Sequence, residues 1–225
     1  MKKKKKTPIV ILGAGGHGSE VYSYLKFSIE QGADVEFLGF MDDHKPVGKF
    51  RDTEILGRIE DLPALASKHK QLRYITAIGD NALRREWVAR VNSLELKNIT
   101  PWTLIDSRAS IGHGVEIGEG TLIAPGCVLT TNIRIGNHCI VNVNSSISHD
   151  SVVDDYSNIN PGAIIAGGSN IGKGCFIGAG AAVIDKITIG EWSILGAGTV
   201  AIQNLPPFVT AVGVPARIIG KREEP

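Results

Sequence analysis

The chain lacks most of what would mark a secreted, membrane-spanning or nucleic-acid-binding protein. Three cysteines among 225 residues, with no Cys-x-x-Cys, leave neither a disulfide framework nor a cysteine-rich metal site to expect. No apolar run approaches the roughly 20 residues needed to cross a bilayer. The stretch Ile9 to Leu12 is too short, and too soon broken by glycine, to be the apolar core of a signal peptide. A cytoplasmic location follows as the expectation. Charge of one sign is missing too: 24 Lys and Arg face 23 Asp and Glu, so no global field recruits nucleic acid or a membrane surface. The one local excess, Lys2 to Lys6, reads as a solvated, disordered basic arm over residues 1–7. A small-molecule partner is what remains.

What the chain does have is a repeat. From Ile105, steps of six meet Ile111, Ile117, Ile123, Leu129, Ile135, Val141, Ile147, Val153, Ile159, Ile165, Ile171, Ile177, Val183, Ile189 and Leu195, sixteen aliphatic positions in all. Two residues ahead of most of them sits a second, smaller series that includes Thr121, Cys127, Cys139, Ser145, Ser157 and Cys175. Two inward positions separated by one outward residue suit a short strand of period two, and Gly or Asn at the corners supplies turn geometry. An α-helix cannot keep such a repeat on one face, because six steps of about 100° rotate each copy away from the last. A coil of short parallel strands can. All three cysteines fall in the small series, so they read as core residues and not as nucleophiles or ligands.

The first hundred residues follow another pattern. Pro8 to Leu12 reads as a buried strand, and Gly13-Ala14-Gly15-Gly16-His17-Gly18 opens a helix predicted to run through Leu25. Such a loop brings backbone close to phosphate and aims a helix N-terminus at its charge. A second strand over Val35–Phe40 leads into Asp42 and Asp43, whose carboxylates suit a ribose or base contact. A third, Tyr74–Ile78, ends at Gly79-Asp80-Asn81 ahead of a helix carrying Arg84 and Arg85. This alternation predicts a small α/β, Rossmann-like domain over 8–101, followed by the repeat domain over 102–225. So short a domain holds only half of a dinucleotide fold, which favours a nucleotide-linked substrate over NAD.

Six histidines are candidates for chemistry. His44 and His69 lie in polar stretches, and His17 belongs to the glycine loop. His113 and His149 differ by 36 positions (149 − 113), so if three hexads make a turn they share one face two coils apart, about 10 Å along the stack. His138 has a different offset. A three-histidine metal site within one chain is therefore not expected, and no metal is assigned.

The hexads Ile117-Gly-Glu-Gly-Thr-Leu, Ile135-Gly-Asn-His-Cys-Ile and Ile171-Gly-Lys-Gly-Cys-Phe resemble those of the hexapeptide-repeat acyltransferases. Together with Gly13–Gly18, Gly39-Phe-Met-Asp-Asp43, Ile78–Asn81, His149-Asp150, Pro161-Gly-Ala163 and Val212–Ala216, the chain resembles the bacterial sialic acid O-acetyltransferase-like sugar acetyltransferases. The likeness is strongest to the branch that N-acetylates UDP-linked 4-amino-4,6-dideoxy sugars. That resemblance implies a left-handed parallel β-helix with three hexads per turn, a homotrimer, and acetyl-CoA as co-substrate. It places the nucleotide sugar at Gly13, Gly15, Gly16, His17, Gly18, Asp42, Asp43 and Gly79. It makes His149 the catalytic base with Asp150 orienting it, and Asn142 a hydrogen-bond partner of the attacking group. Gly167 or Gly168 becomes the candidate oxyanion donor, and Gly180, Gly198, Gly213 and Pro215 the CoA path. Asn158 stands where many relatives carry a histidine that meets CoA. O-acetylation of a sialic or related sugar, and a non-catalytic nucleotide-sugar scaffold, are the alternatives.

Overall fold

The computed structural model describes residues 6–224, so Lys2 to Lys5 of the basic arm lie outside the described residues. Thr7, expected within the arm, already belongs to a strand, its N–H bonded to the Asp34 carbonyl at 3.1 Å. The chain divides between Trp102 and Thr103.

The first unit is a six-stranded sheet built from β1 (Thr7–Leu12), β2 (Val35–Met41), β3 (Gly48–Phe50), β4 (Thr53–Gly57), β5 (Leu72–Thr76) and β6 (Ile99–Pro101), in the order β3-β4-β2-β1-β5-β6. All neighbours are parallel except β3 with β4. Ile9, Val10, Ile11 and Leu12 are all buried, as a strand covered on both faces requires. Val10 and Leu12 share a core cluster with Met41, Leu62, Tyr74 and Trp87. Helix α1 (Gly16–Glu30) outruns its predicted end at Leu25, because nothing breaks it before Gly32, which takes φ +100° and closes the last turn. Pro101, expected as a boundary, ends the edge strand β6, where its missing N–H is tolerated.

The second unit is a coil of two-residue strands. Each carries an aliphatic repeat residue in second place, and strands pair with those 18 residues on, as in Leu122 with Ile140 and Ile123 with Val141. Three hexads therefore make one turn and three sheets run along the coil. We call the faces first (Leu104–Ile105 onward), second (Ser110–Ile111 onward) and third (Glu116–Ile117 onward). The small series lies inside, and its hydroxyls bond carbonyls of the next coil: Ser157 Oγ to Gly172 O at 2.8 Å, Ser169 Oγ to Ile184 O at 2.9 Å. The cysteines do the same, Cys175 Sγ lying 3.1 Å from Gly190 O. Burial pushes the Cys127 thiol up to about 11 and the Cys175 thiol up to about 12, which removes thiolate chemistry there.

Burial of the aliphatic series is complete mid-coil and incomplete at its start. Ile165 is 0% exposed and Ile111 is 37% exposed, because the first coil has a neighbour on one side only. Ile165→Ala should cost about 2–5 kcal/mol in denaturant unfolding and Ile111→Ala well under half of that. Equal costs would contradict this account of the core.

Candidate active site

Sheet order places a switch point between β1 and β5: the chain leaves β1 toward β2 and later returns on the other side of β1. The loops that follow these two strands lie against one another. A Cβ on Gly13, which has φ +101°, would fall 3.0 Å from the Ala77 carbonyl, and one on Gly18 would fall 2.3 Å from the Gly13 carbonyl. Gly15, Gly16 and Gly79 are open, with nothing within 4 Å of an added Cβ. The loop thus has tight glycines where strand and helix meet and open ones where a ligand can approach. No side chain caps α1, so its first amides are available to an anion.

The acidic pair expected to meet the ribose already has protein partners. Asp42 accepts from the N–H groups of Ala14 (2.7 Å), His44 (2.9 Å) and Lys45 (3.0 Å), tying the glycine loop to the end of β2. Asp43 accepts from Ile59 N–H and pairs with Arg90 at 2.6 Å. His17 is mostly buried; its Nδ1 is 3.1 Å from Glu20, and its Nε2 has no partner among the described residues. Burial lowers its pKa, against a raising influence of Glu20, and the nearby Arg84 lowers it further. Asn81 and Arg84, named from the sequence without a site role, and Thr76, not named there, lie at this loop; Arg84 is fully buried and its Nη1 donates to the Ile78 carbonyl at 2.7 Å. The signal was there: they flank the loop that follows the strand beside β1.

On the coil, successive turns stack residues 18 apart into columns. His113, Thr131, His149, Gly167 and Asp185 form one, shown by the bonds Asn132 N–H to His113 O, Asp150 N–H to Thr131 O, Gly168 N–H to His149 O and Lys186 N–H to Gly167 O. Thr131 therefore separates His113 from His149, and no group of three His, Cys, Asp or Glu among the described residues comes together as a metal site. His138 lies at another corner, stacked on Tyr156 with ring centroids 5.6 Å apart.

His149 stands at the edge between the second and third faces, with its side chain 62% exposed and its Nδ1 2.8 Å from Asp150 Oδ2. Bonding to His149, with a smaller contribution from Asn132, holds the Asp150 carboxyl below the usual carboxylate range. An Nδ1–H held by a carboxylate leaves Nε2 as the free acceptor. The imidazole lies over Gly167, where an added Cβ would be 2.6 Å from Cε1 and Nε2. Among the described residues the Gly167 N–H donates to no acceptor, while the Gly168 N–H is used by the His149 carbonyl. Of the two expected oxyanion donors, Gly167 is the available one.

The other predicted residues are elsewhere. Asn142, whose Oδ1 accepts from Val143 N–H at 2.8 Å, lies at the edge between the first and second faces. Gly180 and Gly198 share that edge, with open space around both. The second face, with its Ser146–Ile147 strand, stands between Asn142 and His149. Asn158 is 2% exposed, so its side chain offers no open contact for CoA in the single chain. Gly213 and Pro215 lie in the turn joining the terminal strands Val209–Val212 and Arg217–Lys221.

Residues 8–91 match the PglD N-terminal domain, and residues 103–131 and 168–201 match the bacterial transferase hexapeptide repeats. A variant of GDP-perosamine N-acetyltransferase from Caulobacter crescentus, solved with CoA and GDP-perosamine, is 30% identical with a TM-score of 0.86, covering 95% of this chain and 97% of that one. The chain belongs to the hexapeptide-repeat sugar acetyltransferases. The acetyltransferase domain of PglB from Neisseria gonorrhoeae (27% identity, TM-score 0.86) and WeeI from Acinetobacter baumannii (27%, 0.78) are each covered over 100% of their length and 95% of this chain. Escherichia coli serine acetyltransferase matches at 49% identity, but over 41 residues only, 18% of this chain and 15% of that protein, so this match reports the repeat.

In this sugar acetyltransferase Gly167 has no positive φ, so alanine is compatible with its backbone, and the three atoms nearest an added Cβ all belong to the His149 imidazole. Gly167→Ala should lower kcat by about a hundredfold through displacement of His149, with the melting temperature little changed. Wild-type turnover in this variant would dissociate His149 from Gly167.

Proposed function

We propose that the protein transfers an acetyl group from acetyl-CoA to the 4-amino group of a nucleotide-linked amino-deoxy sugar. The observation that carries this reading is the exposed His149–Asp150 pair, its imidazole lying over Gly167, whose N–H donates to no acceptor among the described residues. His149 Nε2 takes the proton of the attacking amine as nitrogen bonds to the thioester carbonyl carbon. The Gly167 N–H donates to the carbonyl oxygen as it gains charge. The carbon–sulfur bond then breaks, and the imidazolium returns its proton to the departing thiolate. No covalent enzyme intermediate is required. Asp150, bonded to Nδ1, keeps the ring in the tautomer this needs.

The related Caulobacter structure holds CoA and GDP-perosamine, and a PglB structure holds acetyl-CoA, which supports both substrate classes. The open Gly15, Gly16 and Gly79 suit the diphosphate, a group shared by every nucleotide carrier. UDP is the carrier implied by the sequence resemblance.

A homotrimer completes the reading. The second-face strands expose Val128 and Ile164, and Ile184 and Ile202 stand exposed just past its strands Ala182–Val183 and Val200–Ala201, toward the His149 edge, an apolar strip for a monomer to leave in water. His149 with Gly167 occupies one edge of that face and Asn142 with Gly180 and Gly198 the other. Copies packed through it bring the His149 edge of one chain to the Asn142 edge of the next, so the site forms between subunits.

With 4-amino-sugars linked to UDP, GDP and dTDP as acceptors, thiol release from acetyl-CoA should be seen for at least one carrier. His149→Ala should reduce it by about 10²–10⁴-fold while both ligands still bind by titration. Near-normal turnover in that variant, or no release with any carrier, would overturn the assignment.

A further inference from the structure

We propose that Asn132, on the coil before His149, is a positioning residue that fixes Asp150 and through it the catalytic imidazole. This rests on the function proposed above. Asp150 is an exposed carboxylate at a coil corner, and such a side chain samples several rotamers unless something holds it. Its two oxygens are divided: Oδ2 meets His149 Nδ1 at 2.8 Å, and Oδ1 faces Asn132 Nδ2 at 3.4 Å. Asn132 lies directly beneath Asp150 in the column Gly114, Asn132, Asp150, Gly168, Lys186.

The column is arranged to keep the amide there. Asn132 takes φ +52°, a conformation Asn adopts more readily than most residues, and its N–H is anchored on the His113 carbonyl at 2.9 Å. Gly114 below it has no side chain, and a Cβ there would stand 2.6 Å from Asn132 Oδ1. With its oxygen seated over Gly114, the amide turns its nitrogen toward Asp150. An amide is the group that fits, since it donates to a carboxylate without adding a charge beside the base.

The other titratable groups along this edge are His113 at its start, and Asp185 and Lys186 one coil beyond Gly167 and Gly168; Glu116 and Arg134 lie on the adjoining third face. None of them is bonded to His149 or Asp150 in the way Asn132 is.

Two variants test the proposal with opposite signs. Asn132→Gly keeps the left-handed corner and removes the donor. It should lower kcat by about tenfold, leave both KM values within about twofold, and move the acid limb of the kcat/KM profile to lower pH, because a released Asp150 supports the imidazolium less. Asn132→Asp keeps the shape, replaces the donor with a second carboxylate, and should move the same limb to higher pH. Titration of His149 by nitrogen NMR on the protein alone should show the same pair of opposite shifts, independent of any acceptor. Limbs and titrations that stay in place, or move together, would overturn the role of Asn132. A wild-type protein with no transfer activity but with opposite NMR shifts would overturn the functional reading and leave the positioning intact.

Discussion

Eighteen residues separate the paired strands along the β-helix as far as Ala201, the pairing of Ile194 with Thr210 then closing to sixteen, and the eighteen-residue spacing places the side chains at the coil's corners. Because each two-residue strand bonds the strand one turn on, a residue's height and edge on the coil follow from its position in the chain. Two consequences follow without further interactions. The aliphatic series becomes a continuous interior column, and the corners become stacks of residues in which a side chain on one coil is limited by what occupies the next. His149 can lie where it does because Gly167 has no Cβ, and Asn132 can serve Asp150 because Gly114 has none.

The corners also show what the spacing costs. Asn132, His138, Asn144, Asp150, Tyr156, Lys186 and Trp192 all adopt left-handed backbone at the same point of the hexad, where glycine stands in other coils. For a bulky residue this costs roughly 1–3 kcal/mol. The bond from each such N–H to the coil before it, as in Tyr156 to the Asn137 carbonyl at 2.9 Å, offsets part of that cost. A corner that accepts side chains other than glycine is one that can carry function. Asp150 is the case where the substituent bonds a neighbouring imidazole.

The α/β unit reaches a comparable result by different means. Its sheet needs no fixed period, and the open glycines gather where two loops meet beyond β1 and β5. Asp42 holds the glycine loop through the Ala14 amide, and the buried Arg84 and the part-buried His17 lie near one another at that end. The acidic residues expected to face a ribose therefore act first on the protein's own backbone, leaving the open glycines and the uncapped helix as the groups turned outward.

Much of this was legible in residue order. The sixteen aliphatic positions determined the coil, because only a structure of that period buries them on one side; the same count separated His113 from His149, and the small series assigned the cysteines to the interior. His149 next to Asp150 was visible because the two are neighbours in sequence. What tertiary structure alone decided is which distant residues share a corner and which do not. Asn142 lies only seven positions before His149, yet a whole face stands between them, whereas Asn132, seventeen positions away, is one coil below Asp150. Chain distance reports contacts within an element; across coils the hydrogen-bond register takes over, and only the folded molecule shows how each side chain turns within it.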